Sequence, residues 1–194
     1  MSINEMFTTF PTLTTERLLL REIQMADAED LFATFSDEEV MEFYGHLPHE
    51  SVEDSRELIR NQHKWYAQRE GIRWGITLKG EDKVIGSCGF YLFDLESRHA
   101  ETGYELNLVY WRQGVVSEAM TAILTYAFNE LDLVRIEAVV DDVNERSKGL
   151  LRKLGFTHEG TLRKRFYFRG RFFDEHFFGL LKEEWHAPGT PVSS

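Results

Sequence analysis

The chain has 194 residues, of which 33 are Asp or Glu and 22 are Lys or Arg, so its formal charge at pH 7 is −11. This length favours a single compact domain, and the 13% aromatic content argues against disorder. Nucleic acids and anionic membrane surfaces are unfavourable partners, because both are bound through Lys and Arg. An acidic chain instead attracts cationic ligands.

Cysteine usage and the N-terminal segment indicate the compartment. Cys88 is the only cysteine, so no intramolecular disulfide can form, and buried packing is its expected role rather than nucleophilic catalysis. The first residues carry Glu5 and no basic segment before an apolar run, which argues against a signal peptide. The sequence has no uncharged apolar stretch of about 18 residues. These observations predict a cytoplasmic protein.

The first half of the chain predicts a strand, two helices and three further strands. Apolar residues at helical spacing indicate the helices, and alternation of apolar and polar residues indicates the strands. Gly71 is expected just past the end of the second helix. The predicted elements are a strand over 15–23, helices over 27–35 and 52–70, and strands over 72–78, 84–93 and 100–109.

The second half begins with the strongest helix, because apolar residues from Val115 to Leu131 form a continuous stripe. The elements predicted after it are a buried strand over 133–140, a helix over 144–154 closed by Gly155, and strands over 156–168 and 171–181 joined as a hairpin. We therefore predict one mixed α/β domain over residues 1–187, with an antiparallel meander in its sheet. Residues 188–194 are expected to form a flexible tail.

The segment from Tyr104 to Ala119 contains a strand, a short turn with Gly114 and the strongest helix in succession. A helix N-terminus presents free backbone N–H groups and a positive dipole end, so this segment can bind a phosphate. Arg112 and Ser117 add a positive charge and a hydroxyl group. An ordinary strand-to-helix turn, in which the glycine only relieves strain, fits the same pattern.

A second segment, from Asn144 to Phe156, reads Asn-Glu-Arg-Ser-Lys-Gly-Leu-Leu-Arg-Lys-Leu-Gly-Phe. Together with the glycine turn, it resembles the GNAT superfamily of acetyl-CoA-dependent N-acetyltransferases. The resemblance is closest to the branch whose enzymes acetylate the N-termini of ribosomal proteins, and it extends from Thr15 to Trp185. It implies a GNAT-like fold, in which helices flank a mixed, mostly antiparallel central sheet in a single domain.

The resemblance implies acetyl-CoA as a co-substrate, and no metal is expected, because the seven histidines show no His-Glu-x-x-His spacing. Backbone amides of the glycine turn would hold the pyrophosphate, Asn144 would bond to the pantetheine arm, and Lys148 or Arg152 would meet the adenosine phosphates. A plain helix N-cap and solvated basic residues are the alternatives for these three. Val116 departs from the family pattern, which has a small residue there and a roomier loop. The implied coenzyme-binding residues are Leu108, Val109, Arg112, Gln113, Gly114, Val115, Val116, Ser117, Asn144, Lys148 and Arg152.

The chemistry requires a base, because an amine is largely protonated near pH 7 and cannot attack a thioester in that form. Glu101 matches a catalytic glutamate of some family members. Glu105 lies on the same strand face, because strand side chains alternate between two faces. Two such carboxylates would raise each other's pKa and attract a cationic amine. A solvated glutamate pair, with water as the base, is the alternative.

The departing thiolate requires a proton. Many superfamily members have a tyrosine seven residues after the asparagine, where this chain has Leu151. The ribosomal-protein branch has a serine three residues after the asparagine, which matches Ser147, so Ser147 is the expected acid. A small residue that packs the helix on the sheet is the alternative. A backbone N–H near Leu108 would stabilise the negative thioester oxygen.

We therefore predict direct transfer of the acetyl group from acetyl-CoA to a primary amine, without an acyl-enzyme. By resemblance, the acceptor is a protein or peptide N-terminus. The alternatives are a small cationic amine, such as a polyamine, an amino acid or an aminoglycoside, and a non-catalytic acyl-CoA-binding protein. The aromatic cluster over 166–178 is expected in the core, with a wall of the acceptor site or a homodimer contact as the other interpretations.

Overall fold

A computed structural model describes residues 6–186, so the predicted tail over 188–194 lies outside the described residues. Within them, four α-helices flank one eight-stranded sheet. The helices are α1 (Ala28–Phe35), α2 (Val52–Ala67), α3 (Val115–Asn129) and α4 (Glu145–Lys153). The strands are β1 (Leu13–Thr14), β2 (Leu18–Glu22), β3 (Gly71–Leu78), β4 (Val84–Asp94), β5 (His99–Leu106), β6 (Arg135–Asp141), β7 (Thr157–Phe168) and β8 (Arg171–Leu181).

The strand order across the sheet is β1-β2-β3-β4-β5-β6-β8-β7. Neighbouring strands pair antiparallel except β5 and β6, which run parallel. A parallel pair requires a crossover connection, and α3 provides it. The predicted mixed, mostly antiparallel sheet with a central meander is therefore confirmed.

Two apolar clusters lie on opposite faces of the sheet. The larger cluster packs α3 against the sheet and includes Ile85 and Ile123, and α4 joins it through Leu151. The smaller cluster packs α1 and α2 through Ile59 and Val84. Val84 and Ile85 are neighbours in β4, so their side chains point to opposite faces. The sheet consequently has an α3 face, which also carries α4, and an α2 face.

The two-residue strand β1 was not predicted, because it is too short to show a periodic pattern, and the other differences described here concern the ends of elements. The predicted strand before the glycine turn ends at Leu106, because Leu108–Tyr110 form a 3-10 turn. Helix α2 ends before the predicted position, and Arg69 rather than Gly71 adopts the left-handed conformation after it, with φ 62°. Gly71 instead begins β3. Cys88 is buried and unpaired, as expected.

Candidate active site

Strands β5 and β6 separate at one end, and the resulting gap opens the sheet beside the glycine turn. Their pairing runs from His99 with Arg135 to Glu101 with Glu137, after which β5 continues without β6. The indole N–H of Trp111 donates to the Leu106 carbonyl over 2.7 Å and fixes the end of β5. Two cavities lie beside the gap: the first includes the N-terminus of α3 in its lining, and the second includes residues of α2.

The first cavity, of about 480 Å³, lies between the gap, the glycine turn and α4. Gly114 is the N-cap of α3 with φ 76°, a conformation that glycine adopts without strain. Arg17 fixes the turn, because its Nη1 donates to the Gln113 carbonyl over 3.0 Å and its Nε to the Glu118 carboxylate over 2.6 Å. Residues 114–117 line the cavity, so the first N–H groups of α3, which have no partner within the helix, lie at its wall.

Positive side chains line the first cavity from both sides, namely Arg112, Arg146 and Lys153. The Arg146 guanidinium lies 4.7 Å from the centre of the Trp111 ring, and its Nη1 lies 3.1 Å from the Glu39 carboxylate. A helix N-terminus and cationic side chains together favour an anionic ligand such as a diphosphate. The residues present therefore fit coenzyme A.

The two α4 cations that the sequence indicated as phosphate ligands are not among the residues that line the first cavity. Lys148 is buried, and its Nζ donates to the Asp142 carbonyl over 2.6 Å and pairs with Glu145. Arg152 is exposed and lies four residues further along the same helix face. Arg146 and Lys153, which the sequence analysis did not select, line the cavity instead. The physical reason is the rotation of α4, which tertiary packing decides.

The remaining predicted coenzyme-binding residues divide into two groups. Residues 115–117 line the first cavity. Gln113 is exposed, and its side-chain amide donates to the Val109 carbonyl over 2.9 Å. Leu108 and Val109 belong to the 3-10 turn after β5 rather than to the strand, and Val109 is 75% exposed. The predicted roles of Leu108 and Val109 remain predictions.

Five residues line both cavities and mark the place where the cavities meet: Phe43, Tyr44, Tyr104, Asn144 and Ser147. The Asn144 side chain accepts a hydrogen bond from the Ser147 N–H over 3.0 Å, so its N-cap role is confirmed. The Ser147 hydroxyl lies 2.6 Å from the Tyr104 hydroxyl. Burial raises the pKa of Tyr104 to about 12, so the phenol is protonated at neutral pH and can donate a hydrogen bond.

Tyr104 was missed by the sequence analysis, although a signal was present. Alternation along β5 places Tyr104 on the α3 face and Glu101 on the α2 face. Leu151, where the sequence analysis looked for a tyrosine, is fully buried in the larger cluster. The phenol beside the gap therefore comes from β5 rather than from α4.

The second cavity, of about 750 Å³, is bordered by residues of β3, β4, β5 and β6. Glu101 is partly buried in its wall, and the Tyr91 hydroxyl donates to the Glu101 Oε1 over 2.7 Å. Burial raises the pKa of Glu101 above the usual glutamate value, although the Tyr91 hydrogen bond opposes this shift. Glu101 is therefore a stronger base than a solvated glutamate.

Glu105 lies on the same face of β5 as Glu101, as predicted, but in a different environment. It is buried, and its two carboxylate oxygens bond to the Arg73 guanidinium and the Ser87 hydroxyl. Burial raises the pKa of Glu105, and the positive charge of Arg73 opposes this shift. A direct catalytic role for Glu105 would require these two partners to be displaced.

Three further carboxylates line the second cavity: Glu70, Asp141 and Glu175. Burial, together with repulsion from Glu175 on the neighbouring strand, raises the pKa of Asp141 to about 6. The guanidinium of Arg73 at the same wall is neutralised by Glu105. The wall consequently carries an excess of negative charge above that pH.

The aromatic cluster over 166–178 is divided between several environments. Phe173 and Phe178 are buried, as expected for core residues, whereas Tyr167 and Phe172 are 60% and 59% exposed. Phe166 lines the second cavity. One member of the cluster therefore forms part of the wall of this cavity.

Comparison with known proteins identifies the family. The acetyltransferase (GNAT) domain matches residues 17–157. The uncharacterized N-acetyltransferase YoaA of Bacillus subtilis (strain 168) is 41% identical over 173 residues, which cover 89% of this chain and 98% of the relative. The ribosomal protein uS5-alanine N-acetyltransferase of Escherichia coli (strain K12) is 28% identical over 189 residues, covering 91% and 93%. A crystal structure of a GNAT-family acetyltransferase from Bacillus anthracis superposes with a TM-score of 0.81 at 28% identity, covering 90% of this chain and all (100%) of that chain.

The fold, the two cavities and these comparisons define an acyltransferase that acts on amines. The chain belongs to the GNAT family of N-acetyltransferases and is an acetyl-CoA-dependent enzyme. Across residues 6–186, no helix combines the length and apolar character that crossing a membrane requires.

Proposed function

We propose that acetyl-CoA binds in the first cavity, that the acceptor amine enters through the second, and that the acetyl group is transferred at the gap between β5 and β6. The observation that carries this proposal is the opposite charge of two cavities that share Tyr104, Asn144 and Ser147. The cationic wall and the amides of α3 suit the coenzyme phosphates. The acidic wall suits an ammonium group.

Acetyl-CoA supplies the acetyl group as a thioester. Glu101 takes a proton from the acceptor ammonium, directly or through water, and the amine nitrogen then bonds to the thioester carbon. As the carbon–sulfur bond breaks, the Ser147 hydroxyl donates a proton to the sulfur, and the 2.6 Å contact with Tyr104 orients that hydroxyl. The ammonium loses two protons in all: one passes through Glu101 to solvent, and the other replaces the proton that Ser147 gave.

For the acceptor, we propose the α-amine of a protein or peptide N-terminus. In support, the 28% identical relative from Escherichia coli has such an acceptor in its name, and the alignment covers 93% of it. An α-amine has a pKa near 8, against about 10 for an alkyl amine, so a single carboxylate deprotonates it more readily at neutral pH. A small polycation is the second candidate, favoured by the carboxylates that line the second cavity.

The acceptor is tested by measuring the release of coenzyme A thiol over a panel of peptides, polyamines, amino acids and aminoglycosides. We expect the highest kcat/KM for peptides with a free α-amine, and no turnover when that amine is blocked. A polyamine with a higher kcat/KM than every peptide would replace the first candidate with the second.

The role of Ser147 is tested by Ser147→Ala, which removes the proposed proton donor to the sulfur. We expect kcat to fall about tenfold to a hundredfold, at or below the lower end of the range for general acid catalysis. The Kd for acetyl-CoA, measured by calorimetry, should stay unchanged. Ser97→Ala, in an exposed turn, is the matched control. A fully active Ser147→Ala enzyme would remove this residue from the mechanism.

A further inference from the structure

Gln62 occupies a position of α2 where the helix pattern favours an apolar side chain. The buried residues of α2 are Ser55, Ile59 and Gln62, which recur at helical spacing and face the sheet. Gln62 is 7% exposed, and its Oε1 has no hydrogen-bond partner among the residues that the structure describes. Burial of a polar atom without a partner costs free energy. A ligand that donates a hydrogen bond to this oxygen would remove that cost.

Gln62 lies at the wall of the second cavity, on the side away from Asp141 and Glu175. Helix α2 packs on β3, whereas Asp141 and Glu175 belong to β6 and β8, on the other side of β5. The cavity therefore extends from the gap beside β5 in two directions. Its lining includes the carboxylate pair Asp141 and Glu175 on one side, and Gln62 on the side that we call the Gln62 arm.

We propose that Gln62 binds the acceptor substrate by accepting a hydrogen bond from a backbone N–H of its peptide chain. This inference rests on the peptide acceptor proposed above. A side-chain amide oxygen carries no charge and matches a peptide N–H, whereas an ammonium group is bound more strongly by a carboxylate. Gln62 is thus a specificity residue for the acceptor.

The strand spacing locates the contact along the acceptor. Two spacings of about 4.8 Å separate β5 from β3, so roughly 10 Å lie between the gap and the Gln62 arm. An extended peptide covers that distance in about three residues. With the first residue at the gap, Gln62 binds the N–H of roughly the third or fourth residue.

The first test compares a tetrapeptide amide with a dipeptide methyl ester as acceptors, because the ester has no N–H at the position of the third residue. Gln62→Leu should raise the KM for the tetrapeptide about tenfold, which is the effect of one lost hydrogen bond. It should leave the KM for the dipeptide ester and the Kd for acetyl-CoA unchanged, because neither ligand donates the proposed hydrogen bond to Gln62. Gln68→Leu, at the exposed end of α2, is the matched control. Equal effects of Gln62→Leu on both peptides would overturn the inference.

The second test changes the substrate and does not depend on how a variant folds. N-methylation of the third or the fourth nitrogen of the tetrapeptide removes one N–H donor at a time. One methylated peptide should lose about tenfold in kcat/KM with the wild-type enzyme and nothing further with Gln62→Leu. Unchanged kcat/KM for both methylated peptides would refute the Gln62 contact alone. Turnover of polyamines without turnover of any peptide would instead refute the proposed acceptor.

Discussion

The two cavities differ in charge although they open onto the same gap. The first is lined by Arg112, Arg146 and Lys153 beside a helix N-terminus, and its two carboxylates, Glu39 and Glu105, are each paired with an arginine. The second is lined by carboxylates that include Glu101 and Asp141. A chain of net charge −11 can therefore present a cationic cavity to one ligand and an acidic cavity to another, because side-chain placement decides local potential. Net charge therefore argues against polyanionic macromolecules as partners but does not predict the charge of either cavity.

The largest effect is expected from replacing Glu101, the proposed general base. Glu101→Gln should lower kcat about a hundredfold, because the amide cannot accept the proton. Since burial raises the pKa of Glu101, wild-type kcat should fall with decreasing pH already above the usual glutamate range, and this limb should vanish in the variant. The test measures kcat as a function of pH for the wild type and for Glu101→Gln. Glu96→Gln, in an exposed turn, is the control. A variant that keeps both its rate and its acid limb would show that Glu101 is not the base.

An intermediate effect is expected at the glycine turn of the first cavity. Gly114→Ala strains a backbone at φ 76° by about 1 kcal/mol and shifts the amides that line the cavity, so the Kd for acetyl-CoA should rise about tenfold. Gly80→Ala is the matched control, because Gly80 has φ 85° and open space around it, outside both cavities.

Both glycine variants should lose similar free energy of unfolding, which separates strain from binding. Calorimetric titration with acetyl-CoA measures the Kd, and thermal unfolding measures the loss of stability. An equal loss of affinity in Gly80→Ala, or none in Gly114→Ala, would show that the glycine turn does not bind the coenzyme.

The smallest effect is expected at the acidic wall of the second cavity. Asp141 has a pKa of about 6, so the KM for a cationic acceptor should fall as the pH rises through that value. Asp141→Asn should remove this pH dependence and raise the KM a few-fold, on the order of a single exposed charge contact. A wild-type KM that does not change between pH 5 and 7 would argue against Asp141 as part of the acceptor site.

Asp141→Asn also tests stability, because the variant is expected to be more stable than the wild-type protein although it binds the acceptor less well. The folded state holds the Asp141 proton to a higher pH than the unfolded chain, so stability falls as the pH rises from the usual aspartate pKa to about 6. Asp141→Asn should therefore raise Tm at pH 7 and change it little at pH 4. A lower Tm at pH 7 would contradict the raised pKa.

Much of the fold was predictable because the patterns are local. The apolar stripe of α3, the alternation in β3 and the hairpin between β7 and β8 each depend on residues a few positions apart, and all three are confirmed. Local periodicity also placed Glu101 and Glu105 on one face of β5. The end of β5 was wrong, because the 3-10 turn after Leu106 has no periodic signal.

The sequence by itself determined the order of the α-helices and of the strands from β2 onward, the glycine turn and the family to which the chain belongs. Only the tertiary structure decided the chemistry around the gap. The hydroxyl contact joins Tyr104 to Ser147, 43 positions later, and the ion pair joins Arg73 to Glu105, 32 positions later. The burial of Gln62 likewise depends on how α2 packs against the sheet. Alternation along a strand predicts the face on which a side chain lies, whereas contacts between distant residues depend on how their segments pack.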